Sequence, residues 1–121
     1  MPIKKILVVD DSPTERHSLT ELLGKQGYNV VAAESGEEAI VKSKTEMPDL
    51  ILMDVVMPGM NGYQATRTIT REETTKHITI IMCTSKGQET DKIWGMRQGA
   101  NDYLVKPVDP NLLLQKIASL G

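Results

Sequence analysis

Five short apolar runs punctuate this chain: KILVV (5–9), NVVAA (29–33), DLILM (49–53), ITIIMC (78–83) and DYLV (102–105). They are rich in Val, Ile and Leu and mostly do not alternate with polar residues, the pattern of strands covered on both faces. A segment of helical periodicity follows each. Ser12, Pro13 and Glu15 read as N-cap, first-turn proline and capping box ahead of Leu19, Leu22 and Leu23, and Gly27 stops that helix. Ser35 with Glu38 repeats the capping box before Ala39 and Ile40. Asp109–Pro110 opens the last helix, with Leu113, Ile117 and Leu120 as its stripe and Leu114 beside it. The segments between Asn61 and Glu72 and between Gln88 and Gln98 are helical but less distinctly capped. Strands alternating with helices require a parallel sheet with right-handed crossovers and helices on both faces. The expectation is therefore a doubly wound α/β domain, (βα)5, over residues 1–121, with no spare segment or linker. Five strands favour the order 2-1-3-4-5.

Composition removes several function classes. Lys and Arg number 14 against 16 Asp and Glu, a net charge of -2, which offers no electrostatic basis for nucleic-acid binding. One cysteine, Cys83, rules out an internal disulfide and fits a reducing compartment. MPIKK runs straight into the first strand without a signal-peptide core, and no apolar run is long enough to span a bilayer. The expected location is the cytoplasm.

In a sheet of this kind, sites form beyond the carboxyl ends of the strands. Asp10 and Asp11 stand there after the first strand, Asp54 after the third, Thr84 after the fourth and Lys106 after the fifth. Three carboxylates in one crevice stay ionised together only beside a cation. Mg²⁺ suits them, since it prefers oxygen ligands and is commonly held by one or two carboxylates plus a substrate phosphate. The plainer reading of Asp10 and Asp11 is that they end a strand and begin a helix. It fits the pair alone but does not account for Asp54, Thr84 and Lys106 at the neighbouring strand ends. Asp54 lies at the exit of the most central strand, where its carboxylate can attack phosphorus and form an aspartyl phosphate. Phosphoryl transfer needs positioning and charge neutralisation, so a metal, a lysine and a hydroxyl are suitable company. Lys106 would pair with the phosphoryl group or Asp54, and Thr84 would donate to a phosphoryl oxygen. Pro58, Gly59 and Gly62 in MPGMNG supply the turn that follows.

Taken in order, ILVVDDS, DLILMDVVMPGMNG, MCTS and DYLVKPV resemble the receiver domains of two-component response regulators, over residues 4–120. The resemblance implies a flavodoxin-like fold with the same 2-1-3-4-5 order. It also implies phosphoryl transfer to Asp54 from a phosphohistidine on a sensor histidine kinase. Asp11, Asp54 and the backbone carbonyl of Val56 would ligate Mg²⁺, with Asp10 acting largely through water. Thr84 and Tyr103 would form a switch, Thr84 moving toward the phosphate and Tyr103 turning inward behind it. The Lys106–Pro107 peptide would be cis. NGYQATRTITREETTKHI and TSKGQETDKIWGMRQGANDYLVKPV further resemble the stand-alone receivers of type IV pilus twitching-motility chemosensory systems. That likeness implies a large chemotaxis-like kinase as donor and pilus-driven movement or taxis as output. No residues follow the fifth helix, so the expected output is protein contact through helix 4, strand 5 and helix 5, without nucleic acid or membrane insertion. The expected state is a monomer, with dimerisation on activation as the alternative.

Three other functions compete. A receiver can serve as a phosphate sink with no effector of its own. A phosphatase of the haloacid-dehalogenase type needs an acid two residues after its nucleophile, and Val56 stands there. A flavin carrier needs a Ser/Thr/Gly-rich phosphate loop and stacking aromatics, whereas this chain has acids there, no Phe and 3% aromatic residues. As a receiver, the chain should hold its phosphoryl group for long periods. Val56 and Lys86, two residues after Asp54 and Thr84, are poorly suited to orient a hydrolytic water. Of the remaining conspicuous residues, Cys83 is expected to be buried and inert and His17 solvated or partly packed. Met53, Met57, Met60 and Met82 read as packing, and Trp94 as part of the core.

Overall fold

The computed structural model of the chain describes residues 3–85 and 87–120. Strands and helices alternate strictly: β1 (Lys5–Val9), α1 (Pro13–Lys25), β2 (Asn29–Ala33), α2 (Gly36–Thr45), β3 (Leu50–Met53), α3 (Gly62–Arg71), β4 (Thr79–Thr84), α4 (Glu89–Arg97), β5 (Asp102–Val105) and α5 (Pro110–Leu120). All pairings are parallel, in the order β2-β1-β3-β4-β5. The expected fold and strand order are what the chain adopts.

The period of two along each strand divides the core into two layers. Leu7, Val9, Ile51, Met53 and Ile80 turn to one face and meet Ala39 of α2 with Ala65 and Ile69 of α3. Ile6, Val8, Leu50, Leu52, Ile81 and Cys83 turn to the other and meet Leu23 of α1 with Leu113 and Ile117 of α5. Both faces of β1 and β3 are thus sealed, which explains why those runs show no polar alternation. A third, smaller cluster joins Val55, Met82, Ala100 and Tyr103, with Tyr63 packed against it.

Several local readings need correction. β3 begins at Leu50, and the Asp49 carboxylate just before it accepts from the backbone N–H groups of Lys4 and Lys5, each at 2.9 Å. Those backbone bonds, first from Lys5 and then from Lys4, also favour the ionised carboxylate and hold its pKa below the usual range. Thr84 is the last residue of β4, paired in register with Val105, and does not follow the strand. Helix α3 is sharply capped: the Asn61 side chain accepts from Gln64 N at 2.9 Å and Gln64 Oε1 accepts from Asn61 N at 3.0 Å. Neither serine-started helix closes the reciprocal box. Ser12 and Ser35 each accept from the N–H of the glutamate three residues on, but both glutamate side chains point elsewhere. Leu120 is 42% exposed, because α5 carries its stripe past the edge of the core after Ile117.

Candidate functional site

Two strand ends deliver the three acids, Asp10 and Asp11 after β1 and Asp54 after β3. Asp10 N donates to Ala33 O at 3.1 Å, and Asp54 N donates to Val9 O at 3.0 Å, so both residues continue the sheet's ladder by one step before the chain turns. Asp54 is pinned again by Gly62, where a Cβ would stand 2.0 Å from the Asp54 carbonyl oxygen, so no side chain fits there. Asp10 and Asp54 are buried and Asp11 is exposed, and one carboxylate oxygen from each lies within 4.8 Å of the others.

Lys106 enters from the far side, its N–H donating to Thr84 O at 2.8 Å across the β4–β5 ladder. The Lys106–Pro107 peptide is cis, as expected. Its ammonium lies 2.7 Å from Asp10 Oδ2, 2.5 Å from Glu15 Oε2 and 3.5 Å from Asp54 Oδ1. Asp10 Oδ1 accepts from Ser12 N at 2.9 Å, and Arg16 Nη1 donates to the Asp10 carbonyl at 2.8 Å. The expectation that only an added cation could reconcile these acids is therefore revised. Lys106 already pairs with Asp10 and Asp54, and water reaches Asp11.

Neutralisation at Asp54 is incomplete. Burial pushes its carboxyl up from 3.8 to about 6, Lys106 pulls it back, and the Asp10 charge pushes it up again. The Val55 N–H, donating to Asp54 Oδ1 at 2.9 Å, favours the ionised form. At Lys106, burial works to lower the ammonium, but its bonds to Asp10 and Glu15 and the charge of Asp54 hold it above its usual range. An oxygen-only donor set, with Asp10 and Asp54 buried and Asp11 open to solvent, that still carries excess negative charge fits a hard divalent cation.

Of the other expected site residues, Thr84 is buried at the end of β4, beside this cluster in the sheet. Val56 is 56% exposed at the rim. Tyr103 does not line the acids. It is buried under α4, where Met82 and its ring leave room only for Gly95, whose added Cβ would meet Met82 Sδ at 2.8 Å and the ring at 3.1 Å. Burial and a hydrogen bond with the Tyr63 hydroxyl raise the Tyr103 phenol above its usual range. The Tyr63 hydroxyl in turn donates to Asp91 O at 3.2 Å.

Trp94 is not part of the core. It is 50% exposed and meets Tyr63 edge-on at 6.4 Å between centroids, while Ile93 is also exposed. Helix α4 buries only its glycine face, which turns its large side chains outward. Cys83 is buried, with its thiol pushed up to about 12, and His17 is exposed. Met53, Met57 and Met82 are core residues, and Met60 packs against the cluster that holds Met53 and Met57, as expected. Lys86 lies outside the described residues. Glu15, Arg16 and Tyr63 were not anticipated. In the sequence Glu15 reads as a capping-box residue, and only the three-dimensional position of Lys106 shows its second contact.

Residues 6–118 match the response regulator receiver domain family. The chain is 54% identical to protein PilH of Pseudomonas aeruginosa over 113 residues, 93% of each chain. Among solved structures it resembles chemotaxis protein CheY4 of Vibrio cholerae, with a TM-score of 0.92, 33% identity, and 98% of this chain and 99% of that one covered. It also resembles the receiver domain of sensor histidine kinase PA1611 of Pseudomonas aeruginosa, solved with a magnesium ion coordinated in its active-site cleft. There the TM-score is 0.87 and the identity 32%, with 94% of this chain and 93% of that one covered.

Proposed function

Because the chain belongs to the response regulator receiver domain family, we propose that it is a phosphorylation-driven switch in which Asp54 accepts a phosphoryl group from a phosphohistidine of a sensor kinase. The observation that supports this most is the meeting of Asp54 with Asp10, Asp11 and Lys106 at adjoining strand ends. An Asp54 oxygen forms the new O–P bond as the N–P bond of the donor breaks, and the departing imidazole takes up a proton. Asp54 must be ionised to attack, and with its carboxyl at about 6 most of it is ionised above neutral pH. Asp10, Asp11, Asp54 and the Val56 carbonyl would hold Mg²⁺, which supplies positive charge to the phosphoryl oxygens. Lys106 neutralises a second side of the group, and the Thr84 hydroxyl donates to it. The test is labelling by acetyl phosphate with Mg²⁺, mapped by peptide mass. Label on Asp54 that disappears with chelator supports the assignment, and label elsewhere overturns it.

Output through protein contact is supported by the face around α4, β5 and α5, where Ile93, Trp94, Val105 and Leu112 are exposed. The likeness to PilH supports a place in a pilus-linked chemosensory system, with a chemotaxis-like kinase as donor. Trp94 reports on this face. Beryllofluoride with Mg²⁺ is expected to change its fluorescence in wild type and much less in Thr84→Ala, because the mimic shifts the population only through groups it contacts differently in the two states. Equal changes in both proteins would remove Thr84 from the route.

The phosphoryl group should persist. Val56 presents an apolar side chain at the rim and offers hydrolytic water no hydrogen bond. Val56→Asn is expected to shorten the half-life of labelled protein severalfold after donor removal. An unchanged decay would show that water is not positioned from residue 56.

A further inference from the structure

Lys106, expected to serve the phosphoryl group, already has a full set of partners. An ammonium has three N–H donors, and three carboxylates crowd this one. Asp10 at 2.7 Å is buried and fixed by Ser12 N. Glu15, at 2.5 Å, is the nearest of the three, although its side chain is 46% exposed. Asp54, the group that must share Lys106 with the incoming phosphate, is the farthest at 3.5 Å.

The local sequence makes this contact possible. At the third position of α1, Glu15 would ordinarily fold back to accept from Ser12 N–H. The Asp10 carboxylate occupies that N–H instead, which frees Glu15 to reach across to Lys106. Lys106 does not need Glu15 to be held in place, because its backbone is in the ladder and its ammonium is anchored on Asp10. The added contact draws the ammonium toward α1, away from Asp54. It also brings a fourth carboxylate to the mouth of a site whose substrate is an anion.

We propose that Glu15 is a positioning residue that competes with the phosphoryl group for Lys106, restraining phosphorylation of Asp54. Arrival of the phosphoryl group then requires the Glu15–Lys106 contact to open, and the exposure of Glu15 lets its carboxylate swing into water when it does. This rests on the phosphoacceptor reading above, and the experiment separates the two.

Beryllofluoride affinity with Mg²⁺ is measured in wild type, Glu15→Gln and Glu15→Asp, with thermal melts to confirm folding. Glu15→Gln removes the charge at constant size, and Glu15→Asp keeps the charge but shortens its reach. Both are expected to bind about three- to fivefold more tightly, the scale of a half-exposed ion pair. In the metal-free proteins both should shift the NMR signal of the Lys106 ammonium. Unchanged or weaker binding in Glu15→Gln overturns the proposal, as does an unmoved Lys106 signal. Tighter binding in Glu15→Gln with wild-type binding in Glu15→Asp also overturns it, by assigning the effect to net charge. Failure of the wild type to bind beryllofluoride would instead overturn the phosphoacceptor reading itself, and the role of Glu15 with it.

Discussion

The Asp54→Asn protein is expected to take no phosphoryl group from acetyl phosphate and, without metal, to melt higher than wild type at pH 8. Loss of labelling follows from chemistry, since an amide has no ionised oxygen with which to attack phosphorus. The gain in stability follows from burial. Asp54 binds its proton more tightly in the folded protein, about 6 against 3.8 for the ordinary group. The native state therefore holds more protons than the unfolded chain between those values, and stability falls as pH rises through that window. Above it, the ionised carboxylate costs the fold on the order of 2–3 kcal/mol, and asparagine removes that cost while needing its own hydrogen bonds. A rise of about 5 °C is the expected net effect for a domain of this size. At pH 4 the two proteins should converge. Wild-type labelling of the variant would dismiss Asp54 as acceptor, and identical melting curves from pH 4 to 8 would dismiss the burial effect.

Lys106→Met should act in the opposite direction, lowering the metal-free melting temperature by about 10 °C. Methionine keeps most of the aliphatic stem but leaves Asp10 buried without its cation. Removing one partner of a buried pair costs about 3–5 kcal/mol, and the partial exposure of this site places the expected loss near the lower end. Lys116→Met is the comparison. Its 2.7 Å pair with Asp102 is more open to solvent, and losing such a pair costs under about 1 kcal/mol. Mg²⁺ should restore more of the melting temperature in Lys106→Met than it adds to wild type, because a cation bound by the same acids replaces the missing charge. Equal losses in the two variants would show that the Asp10–Lys106 pair is no more buried in solution than an ordinary surface bridge.

Much of this molecule was legible in its sequence because its signals are local. Runs such as Ile6–Val9 and Leu50–Met53 are strands of a two-sided sheet under almost any tertiary arrangement, and residues just beyond strand ends must gather at one edge. What escaped depends on distance in space. Asn61 and Gln64 form a complete cap, but without Ser, Thr or Glu their pairing was not weighted. A lone tryptophan in a helix beside Ile93 reads as core, but helix α4 packs by the absence of a side chain at Gly95 and leaves Trp94 outside. Lys106 is legible at the same sheet edge as the acids, but only the packed geometry shows that its ammonium sits nearer Asp10, at 2.7 Å, than Asp54, at 3.5 Å. Part of the neutralisation expected of a metal is supplied by the fold through Lys106.

That lysine also bears on how the chain folds. Asp10 and Lys106 are 96 residues apart, so the ion pair closes only when the last strand docks. During synthesis the three acids exist before their ammonium does, and an intermediate lacking β5 would have to gather them uncompensated. Early collapse around β1 and β3 is thus opposed at one edge by the clustered acids Asp10, Asp11 and Asp54, and docking of β5 removes that opposition. Non-local closure of this kind slows folding. It also makes the acid cluster a latch that engages last, so that a competent site and a completed sheet arise in the same step.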